Sequence, residues 1–183
     1  NTSEEIISVQ SGAEVVASGT CGENLTWILD KEGVLTISGE GEMDSYKAET
    51  PWSSFEKIVE LKVEEGVTSI GACAFHENEN LINATLPSSI TTIGDFAFCR
   101  CLKLNSIIIP EKVTSIGIGA FSDCWSLRDI TFPDSIVSIG DAAFGSCYSL
   151  KDIVLPSNIM FIGECAFLAC ENLNSIILPT GIT

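Results

Sequence analysis

The residues that most invite a chemical function are eight cysteines and one histidine. Zinc sites usually place two to four residues between paired cysteines and require a second pair of ligands. The tightest cysteine pair here, Cys99 and Cys101, is separated by one residue, and no second pair completes it. No cluster of cysteines or carboxylates recurs around His76, so we interpret it as a surface residue rather than a ligand or a general base. The sequence therefore predicts no metal site.

Two groups of carboxylates raise the same question. The segment Gly39–Asp44 alternates acidic residues with glycine, but its spacing differs from an EF-hand loop and no later bidentate glutamate is placed for one. Asp129 and Asp152 occupy the same position in two successive sequence repeats and resemble a glycosidase pair only superficially. Neither a G-x-S-x-G nucleophile motif nor a phosphate-binding glycine motif is present. We therefore predict no catalytic residue and no cofactor, and interpret both groups as solvated carboxylates.

The elements that would position such side chains recur at a constant interval. The interval between successive repeat phenylalanines is 23 residues (98 − 75 = 23). Four columns of identical residues keep this period through five copies: Phe75, Phe98, Phe121, Phe144 and Phe167; Gly71, Gly94, Gly117, Gly140 and Gly163; Pro87, Pro110, Pro133, Pro156 and Pro179; and Leu81, Leu104, Leu127, Leu150 and Leu173. The period lies in the leucine-rich-repeat range and indicates stacked repeats. We predict an α/β solenoid. Each repeat is expected to have a main strand ended by proline, a second short strand ended by glycine, and an Ala-Phe segment coiled as a helical or 3-10 turn.

The repeat motif resembles that of the BspA-like leucine-rich repeat family. The resemblance is carried by Val113 to Gly117, Ala120, Phe121, Cys124, Leu127, Ile130 and Pro133, and upstream, where the family has an N-terminal leader, by Cys21, Gly22, Trp27, Leu35 to Gly39, Gly41, Met43, Pro51 and Trp52. The departures are Asn78, where later repeats have cysteine, and Ala84, where they have isoleucine. The resemblance implies an extracellular or surface-displayed bacterial protein that makes protein–protein or adhesive contacts.

We predict one continuous structural domain with two regions, a leader and β-hairpin cap over residues 1–57 and the leucine-rich repeat solenoid over residues 58–183. A cap is expected because the first repeat of a solenoid exposes an apolar end and a strand edge. Its hairpin strands are predicted at 25–30 and 34–38, with an edge strand around Ile6, Ile7, Val9, Val15 and Val16. A short helical turn at 51–56 is expected to pack Trp52 and Phe55 under the cap, ahead of a first repeat strand at 60–63.

The other end of the chain opens a further repeat at Ile182 and Thr183 without a polar cap. Solenoid termini normally need such a cap. We therefore expect either that the natural protein continues or that this end associates with another molecule.

Four of the cysteines, Cys101, Cys124, Cys147 and Cys170, follow the repeat period. Residues stacked in register point the same way, so their Cβ atoms do not face each other as a disulfide requires. We therefore predict a ladder of buried, reduced thiols, which behave as small hydrophobic groups. A Cys73–Cys99 bridge between adjacent repeats is left open, and Cys21 has no evident partner.

Charge restricts the class of partner. The formal net charge is −16, with −10 from residues 1–66 (14 acids, 4 lysines) and −6 from the remainder (11 acids, 5 bases). Nucleic acids and anionic membranes bind clustered Lys and Arg, so neither is a predicted partner. No apolar run approaches the ~18 residues of a membrane span, so membrane insertion is not predicted. A protein, such as a host or microbial surface macromolecule, is the predicted partner.

The predicted ligand-binding residues are two columns on the main strands. Because side chains alternate along a strand, inward Ile107 and Ile109 leave Ser106 and Ile108 facing outward. Steps of one repeat period give a polar column of Asn83, Ser106, Asp129, Asp152 and Ser175, and a β-branched column of Thr85, Ile108, Thr131, Val154 and Ile177. β-branched residues also favour strands through packing alone. Two hypotheses stay open, a non-enzymatic interaction or adhesion module and a passive spacer or assembly element of a larger surface protein; a carbohydrate-active enzyme is a weaker third.

Overall fold

Two sheets run along the stack of repeats, and the computed structural model describes them over residues 13–47 and 49–179. The strands in chain order are β1 (Val15–Gly22), β2 (Leu25–Asp30), β3 (Val34–Gly39), β4 (Gly41–Glu42), β5 (Glu60–Val63), β6 (Val67–Ile70), β7 (Asn83–Thr85), β8 (Thr92–Ile93), β9 (Ser106–Ile108), β10 (Ser115–Ile116), β11 (Asp129–Thr131), β12 (Ser138–Ile139), β13 (Asp152–Val154), β14 (Phe161–Ile162) and β15 (Ser175–Ile177). The main sheet has the order β1-β2-β3-β5-β7-β9-β11, and β13 and β15 follow as a separate pair. The second sheet runs from β4 through β6, β8, β10 and β12 to β14.

The repeat strands stack in parallel without slippage. Ser106 of β9 pairs with Asp129 of β11, a step of one repeat period, and Ile153 of β13 keeps the same step to Ile176 of β15. Parallel pairing requires the chain to return to the same end of the sheet after every strand. The second strand of each repeat and the turns that follow it make that return. The prediction of two strands per repeat is confirmed, as is the first repeat strand at Glu60–Val63.

The core fills the space between the two sheets. Ile107 and Ile109 on the main strands are buried, as predicted, and Ile116 and Ile139 of the second sheet close the opposite side. Burying a side chain of this size contributes about 1.5–3 kcal/mol of transfer free energy. Each coil obtains this burial only against its neighbours, so the repeats are stable as a stack.

The third side of each coil is a run of tight turns, and the expected helical or 3-10 turns are wrong, because the described residues contain no helix. Alternate N–H groups leave the coil: Phe98 donates to the Ala120 carbonyl of the next repeat at 2.8 Å, whereas Cys99 closes a turn onto the Phe96 carbonyl at 3.1 Å. An α-helix would need all these donors for its own bonds. Phe96 and Arg100 also have φ values of 54° and 62°, in the left-handed region that interrupts a right-handed helix. The fold is therefore a β-solenoid.

A column of stacked aromatic rings runs through the core. Successive centroids lie 5.2 to 5.5 Å apart along Phe75, Phe98, Phe121, Phe144 and Phe167. Trp52, one repeat period before Phe75, extends the column at 5.3 Å, and its indole N–H donates to the Ala74 carbonyl at 3.0 Å. The repeat register therefore begins one unit earlier than the run of identical phenylalanines indicates.

The N-terminal strands form part of the main sheet. The predicted hairpin is present as the antiparallel pair β2–β3, and β1 adds a third antiparallel strand. β3 then pairs in parallel with β5, so the cap covers the end of the stack and continues the hydrogen-bond ladder of the repeats. This pairing satisfies the strand edge that the first repeat would otherwise expose.

The segment that links the cap to the repeats forms turns instead of the expected helical turn, with the Phe55 N–H bonded to the Trp52 carbonyl at 3.1 Å. The expected packing is present, because Trp27 of β2 lies edge-on to Trp52 at 6.0 Å and to Phe55 at 6.2 Å. Val15 and Val16 of the expected edge strand lie in β1. The predictions for Ile6, Ile7, Val9, Ile182 and Thr183 lie outside the described residues, and the boundary between residues 57 and 58 stays a prediction.

The cysteine ladder consists of thiols that donate to the carbonyl oxygen of a phenylalanine in the preceding repeat. The Sγ–O distance is 3.2 Å in all four pairs, Cys101 with Phe75, Cys124 with Phe98, Cys147 with Phe121 and Cys170 with Phe144. The first three cysteines are fully buried and Cys170 is partly buried. All eight cysteines are free thiols, as the ladder prediction requires, and Cys73 and Cys99 are not bridged.

The glycine column allows the coils to approach closely. A Cβ atom on Gly117 would lie 2.6 Å from the carbonyl carbon of Gly94 and 2.7 Å from the backbone nitrogen of Asp95. Both atoms belong to backbone, which has no rotamer with which to yield. Gly117 is therefore required for the spacing between repeats, in addition to the bend that its position after β10 indicates.

Candidate interaction surface

The main strands present both predicted columns on one surface, here called the outer face. The polar column (Asn83, Ser106, Asp129, Asp152, Ser175) and the β-branched column (Thr85, Ile108, Thr131, Val154, Ile177) are exposed at all ten positions. Registered pairing brings each column into line across successive strands. Exposure does not itself show contact with a ligand, so the binding role of these residues stays a prediction.

The β-branched column, here called the apolar stripe, has exposed apolar side chains at three of its five positions, and the other two are Thr85 and Thr131. Ile108, Val154 and Ile177 are 74, 67 and 59% exposed, whereas the alternating residues Ile107 and Ile153 are buried. Covering each exposed side chain with a partner would contribute up to about 1.5–3 kcal/mol. The stripe is therefore the part of the outer face with the largest unused hydrophobic free energy.

The polar column places two carboxylates on neighbouring coils. Asp129 of β11 and Asp152 of β13 are both exposed, and the Ser175 hydroxyl donates to Oδ1 of Asp152 at 2.8 Å. At β5, the same face carries a Lys62–Glu60 ion pair at 3.4 Å. The exposure of both aspartates supports their interpretation as solvated strand residues.

A shallow depression that the sequence analysis did not identify lies where the main strands begin. Its volume is about 450 Å³, and it is lined by Ile82, Lys103, Asn105, Ser106, Ser126, Arg128 and Asp129. We call it the strand-start depression. Lys103 Nζ donates to Asn80 Oδ1 at 2.6 Å. Ser106 and Asp129 also belong to the polar column, so the depression opens onto the outer face.

The depression escaped the sequence analysis because its two cations do not share a repeat position. The repeat equivalent of Lys103 is Ser126, and the repeat equivalent of Arg128 is Lys151. Lys103, Arg128 and Lys151 all lie within three positions of the start of a main strand, so a search for basic residues at such positions would have identified them. A search for columns of identical residues could not identify them, because their repeat equivalents differ.

The buried thiols are poor candidates for nucleophiles. Burial raises the pKa of Cys21 to about 12 and the pKa of Cys99 to about 11. Burial likewise raises the pKa of Cys101, Cys124 and Cys147. Because the thiolate is the reactive form, these groups are inert at neutral pH while the protein is folded.

Glu65 and His76 are two further titratable side chains to consider for a chemical role. The side-chain hydroxyl of Ser88 and its backbone N–H both donate to Glu65 at 2.9 Å and lower the pKa of that carboxyl. His76 is half-buried. Over residues 13–47 and 49–179, no group of three His, Cys, Asp or Glu side chains could hold a metal ion, and no helix could span a membrane.

The periodic coils, the parallel main strands and their exposed outer face define a leucine-rich repeat protein of the β-solenoid type. The model of the BspA type leucine-rich repeat region matches residues 51–174 in six copies. The chain belongs to this family.

Solved structures agree with this assignment. A leucine-rich repeat protein of T. pallidum is 32% identical, with a TM-score of 0.65 over 87% of this chain and 71% of that one. A leucine-rich repeat protein from Bacteroides ovatus is 25% identical, with a TM-score of 0.56 over 87% and 53% of the two chains. The pneumococcal vaccine antigen PcpA shares the fold at 16% identity, with a TM-score of 0.63 over 92% and 51%. No curated protein matches the sequence significantly.

Proposed function

We propose that the chain is a non-enzymatic protein-interaction module of a secreted or cell-surface bacterial protein, and that the outer face is its contact surface. The observation that carries this proposal is the exposed stripe of Ile108, Val154 and Ile177 beside an exposed polar column. Exposed apolar patches with polar margins are typical of interaction sites. Repeat solenoids commonly bind through such extended faces, and leucine-rich repeat proteins commonly act in protein interaction.

The dimensions of the outer face favour a weak contact. The main strands from β5 to β15 span roughly 24 Å at about 4.8 Å per step, and three-residue strands are about 10 Å long. The resulting flat area is roughly 240 Å², against about 800 Å² per partner in a standard interface. A single face is therefore expected to bind weakly, and linkage of several faces in one molecule would raise the affinity through effective concentration.

A passive spacer or assembly element is the second candidate. Phe161 and Leu168 are 52 and 62% exposed, and exposed apolar side chains favour a contact with a further copy of the chain. Such assembly would use these two side chains, whereas the proposed contact surface uses the outer face. Separate substitutions can therefore test the two functions.

The experiment uses the parent protein and the double variant Ile108→Lys with Val154→Lys to capture surface proteins from the natural surroundings of the protein. The proteins that each of the two retains are then compared. Both side chains point away from the core, so the variant is expected to fold with an unchanged melting temperature. If the outer face makes the contact, two cations in the apolar stripe abolish capture of the specifically bound protein.

The matched control is Ile118→Lys with Met160→Lys, which adds the same charge at exposed apolar positions beside the second sheet. This control is expected to retain the captured protein. Equal retention by both variants would assign the outer face to scaffold and favour the spacer function.

A further inference from the structure

The strand-start depression holds a local excess of positive charge in a protein with a net charge of −16. Lys103 and Arg128 line it with a single carboxylate, that of Asp129, so its formal charge is +2 − 1 = +1. Lys151 repeats the Arg128 position in the next coil. Both lining cations are exposed. The net charge of the protein repels an approaching anion, whereas Lys103 and Arg128 attract it locally.

The hydrogen-bond donors of these cations are largely unused within the protein. Among the described residues, neither Lys103 nor Arg128 has a nitrogen within 4.0 Å of a carboxylate oxygen, although Lys31, Lys62 and Arg100 all form ion pairs. Lys103 gives one bond to Asn80. A guanidinium has five N–H donors and an ammonium has three. The depression therefore presents charged donors, together with the polar groups of Asn105 and Ser126, to a ligand.

The geometry of the adjoining strand relates this site to the apolar stripe. Ser106 lines the depression, and Ile108 follows it by two residues on the same side of β9, a distance of about 6.6 Å. Alternate side chains of an extended peptide have the same spacing. A peptide lying over the outer face in the direction of β9 can therefore place an acidic side chain in the depression and, two residues away, an apolar side chain on Ile108.

We propose that the strand-start depression binds a carboxylate side chain of an extended segment of the partner protein, in an acid-x-apolar pattern. This inference rests on the proposed interaction function and names its partner chemistry. Arg128 supplies the planar fork that suits a carboxylate, and Lys103 supplies a second positive charge. A singly charged carboxylate fits a site of charge +1, whereas phosphate or a polyanionic glycan would bring additional negative charge towards Asp129 and an acidic protein.

The test is a titration of the ¹⁵N-labelled protein monitored by NMR. The probe is a blocked heptapeptide, Ser-Ser-Glu-Ser-Val-Ser-Ser, in which glutamate and valine stand two residues apart, and its matched control replaces the glutamate with glutamine. A galacturonate oligosaccharide provides the anionic glycan arm. The glutamate peptide is expected to shift the amide signals of Ser106, Arg128 and Asp129, to bind more weakly as salt is raised, and to bind about tenfold more tightly than the glutamine peptide.

Two charge-matched variants locate the effect. Lys103→Gln with Arg128→Gln removes the cations of the depression, and Lys47→Gln with Lys112→Gln removes two exposed cations elsewhere, so both proteins carry −18 (−16 − 2). The first variant is expected to lose about tenfold in affinity for the glutamate peptide, and the second less than twofold. An otherwise unchanged amide spectrum verifies folding of each variant.

Three results would overturn the inference: no binding of the glutamate peptide at a few millimolar, equal affinity for the glutamine peptide, or equal losses in the two charge variants. Tighter binding of the galacturonate oligosaccharide would replace the peptide with a glycan. If the Ile108→Lys and Val154→Lys protein loses its captured partner while the Lys103→Gln and Arg128→Gln protein keeps it, the contact surface stands and the carboxylate site alone fails.

Discussion

Removal of the central ring of the aromatic column tests the stacking that organises the core. Phe121 is fully buried and lies between Phe98 and Phe144, with both centroid distances at 5.3 Å and ring planes within 3° and 6° of parallel. Truncation of a buried phenylalanine to alanine typically costs about 3–5 kcal/mol. Stacked aromatic pairs contribute about 0.5–1.5 kcal/mol beyond the area that they bury. Phe121→Ala removes two such pairs, so we expect a loss at the upper end, about 4–5 kcal/mol.

The free-energy loss is expected at the upper end of this range because the cavity left by Phe121→Ala cannot collapse. Neighbouring coils are held at a fixed spacing by the strand ladders and by the bond from the Phe121 N–H to the Ala143 carbonyl at 2.8 Å. The cost of a cavity rises with the volume that remains after relaxation. Closing this one would require the coils to tilt and break those hydrogen bonds.

The assay is equilibrium unfolding in urea, followed by the fluorescence of the tryptophans, two of which, Trp27 and Trp52, are buried. The control is Phe167→Ala, because Phe167 is partly buried and stacks on Phe144 at 5.5 Å as its one partner among the described rings. We expect the control to lose about half as much free energy of unfolding. With unchanged m-values, a loss below about 2 kcal/mol for Phe121→Ala, or equal losses for both variants, would refute the argument.

Four further predictions concern the reactivity of the thiols, their effect on the pH dependence of stability, the glycine column, and the exposed side chains of Phe161 and Leu168. In the folded protein we expect a maleimide to label exposed Cys165 first and to label Cys101, Cys124 and Cys147 only after unfolding, as peptide mapping by mass spectrometry would show. Burial raises the pKa of these three thiols, so above the ordinary pKa of 9.0 the unfolded chain ionises them while the folded protein keeps them protonated. The free energy of unfolding should therefore fall above about pH 9, by about 1.4 kcal/mol per pH unit for each thiol. Cys124→Ala should remove one such contribution from the slope, as measured by urea unfolding at several pH values. Gly117→Ala should lower the free energy of unfolding by about 2–3 kcal/mol in the same assay, because the added Cβ would lie 2.6 Å from a backbone atom. Gly145→Ala is the control and should be tolerated, because its Cβ would have its nearest contact at 3.4 Å. Equal losses for the two variants would contradict the role of the glycine column. If copies of the chain associate through exposed Phe161 and Leu168, light scattering of the parent should show a mass that rises with concentration. The double variant Phe161→Lys with Leu168→Lys should stay at the monomer mass, and a parent that stays monomeric would count against this association.

The arrangement of the core could be predicted because the constant period of the sequence determines which side chains stack. Once Ile107 is assigned to the interior, Ser106 and Ile108 must face outward, and the period transfers that assignment to the equivalent residues of all the other repeats. The structure confirms this alternation in β9 and repeats it in β13. A regular stack thus converts a local strand pattern into long-range contacts.

The turn side could not be predicted in the same way, because its conformation depends on where the hydrogen bonds go. The sequence around Phe96 to Phe98 contains no residue that excludes a helix, and Phe96 has a positive φ that bulky residues rarely adopt. The conformation is stabilised by bonds from alternate N–H groups to the next coil, such as Phe98 to Ala120. These bonds exist only once the repeats have stacked, so tertiary contacts override the local preference.

Residues that depart from the period are informative about function, because residues that follow it are already required by the stack. Phe121 and Gly117 recur in five copies, and each has a packing reason at its position. Lys103 has no basic equivalent one repeat later, where Ser126 stands, yet both residues line the same depression. Exposed Lys103 buries no side chain in the core, so stability does not explain its position. A contact surface on a regular solenoid is therefore expected where neighbouring repeats differ on the outside while they agree on the inside.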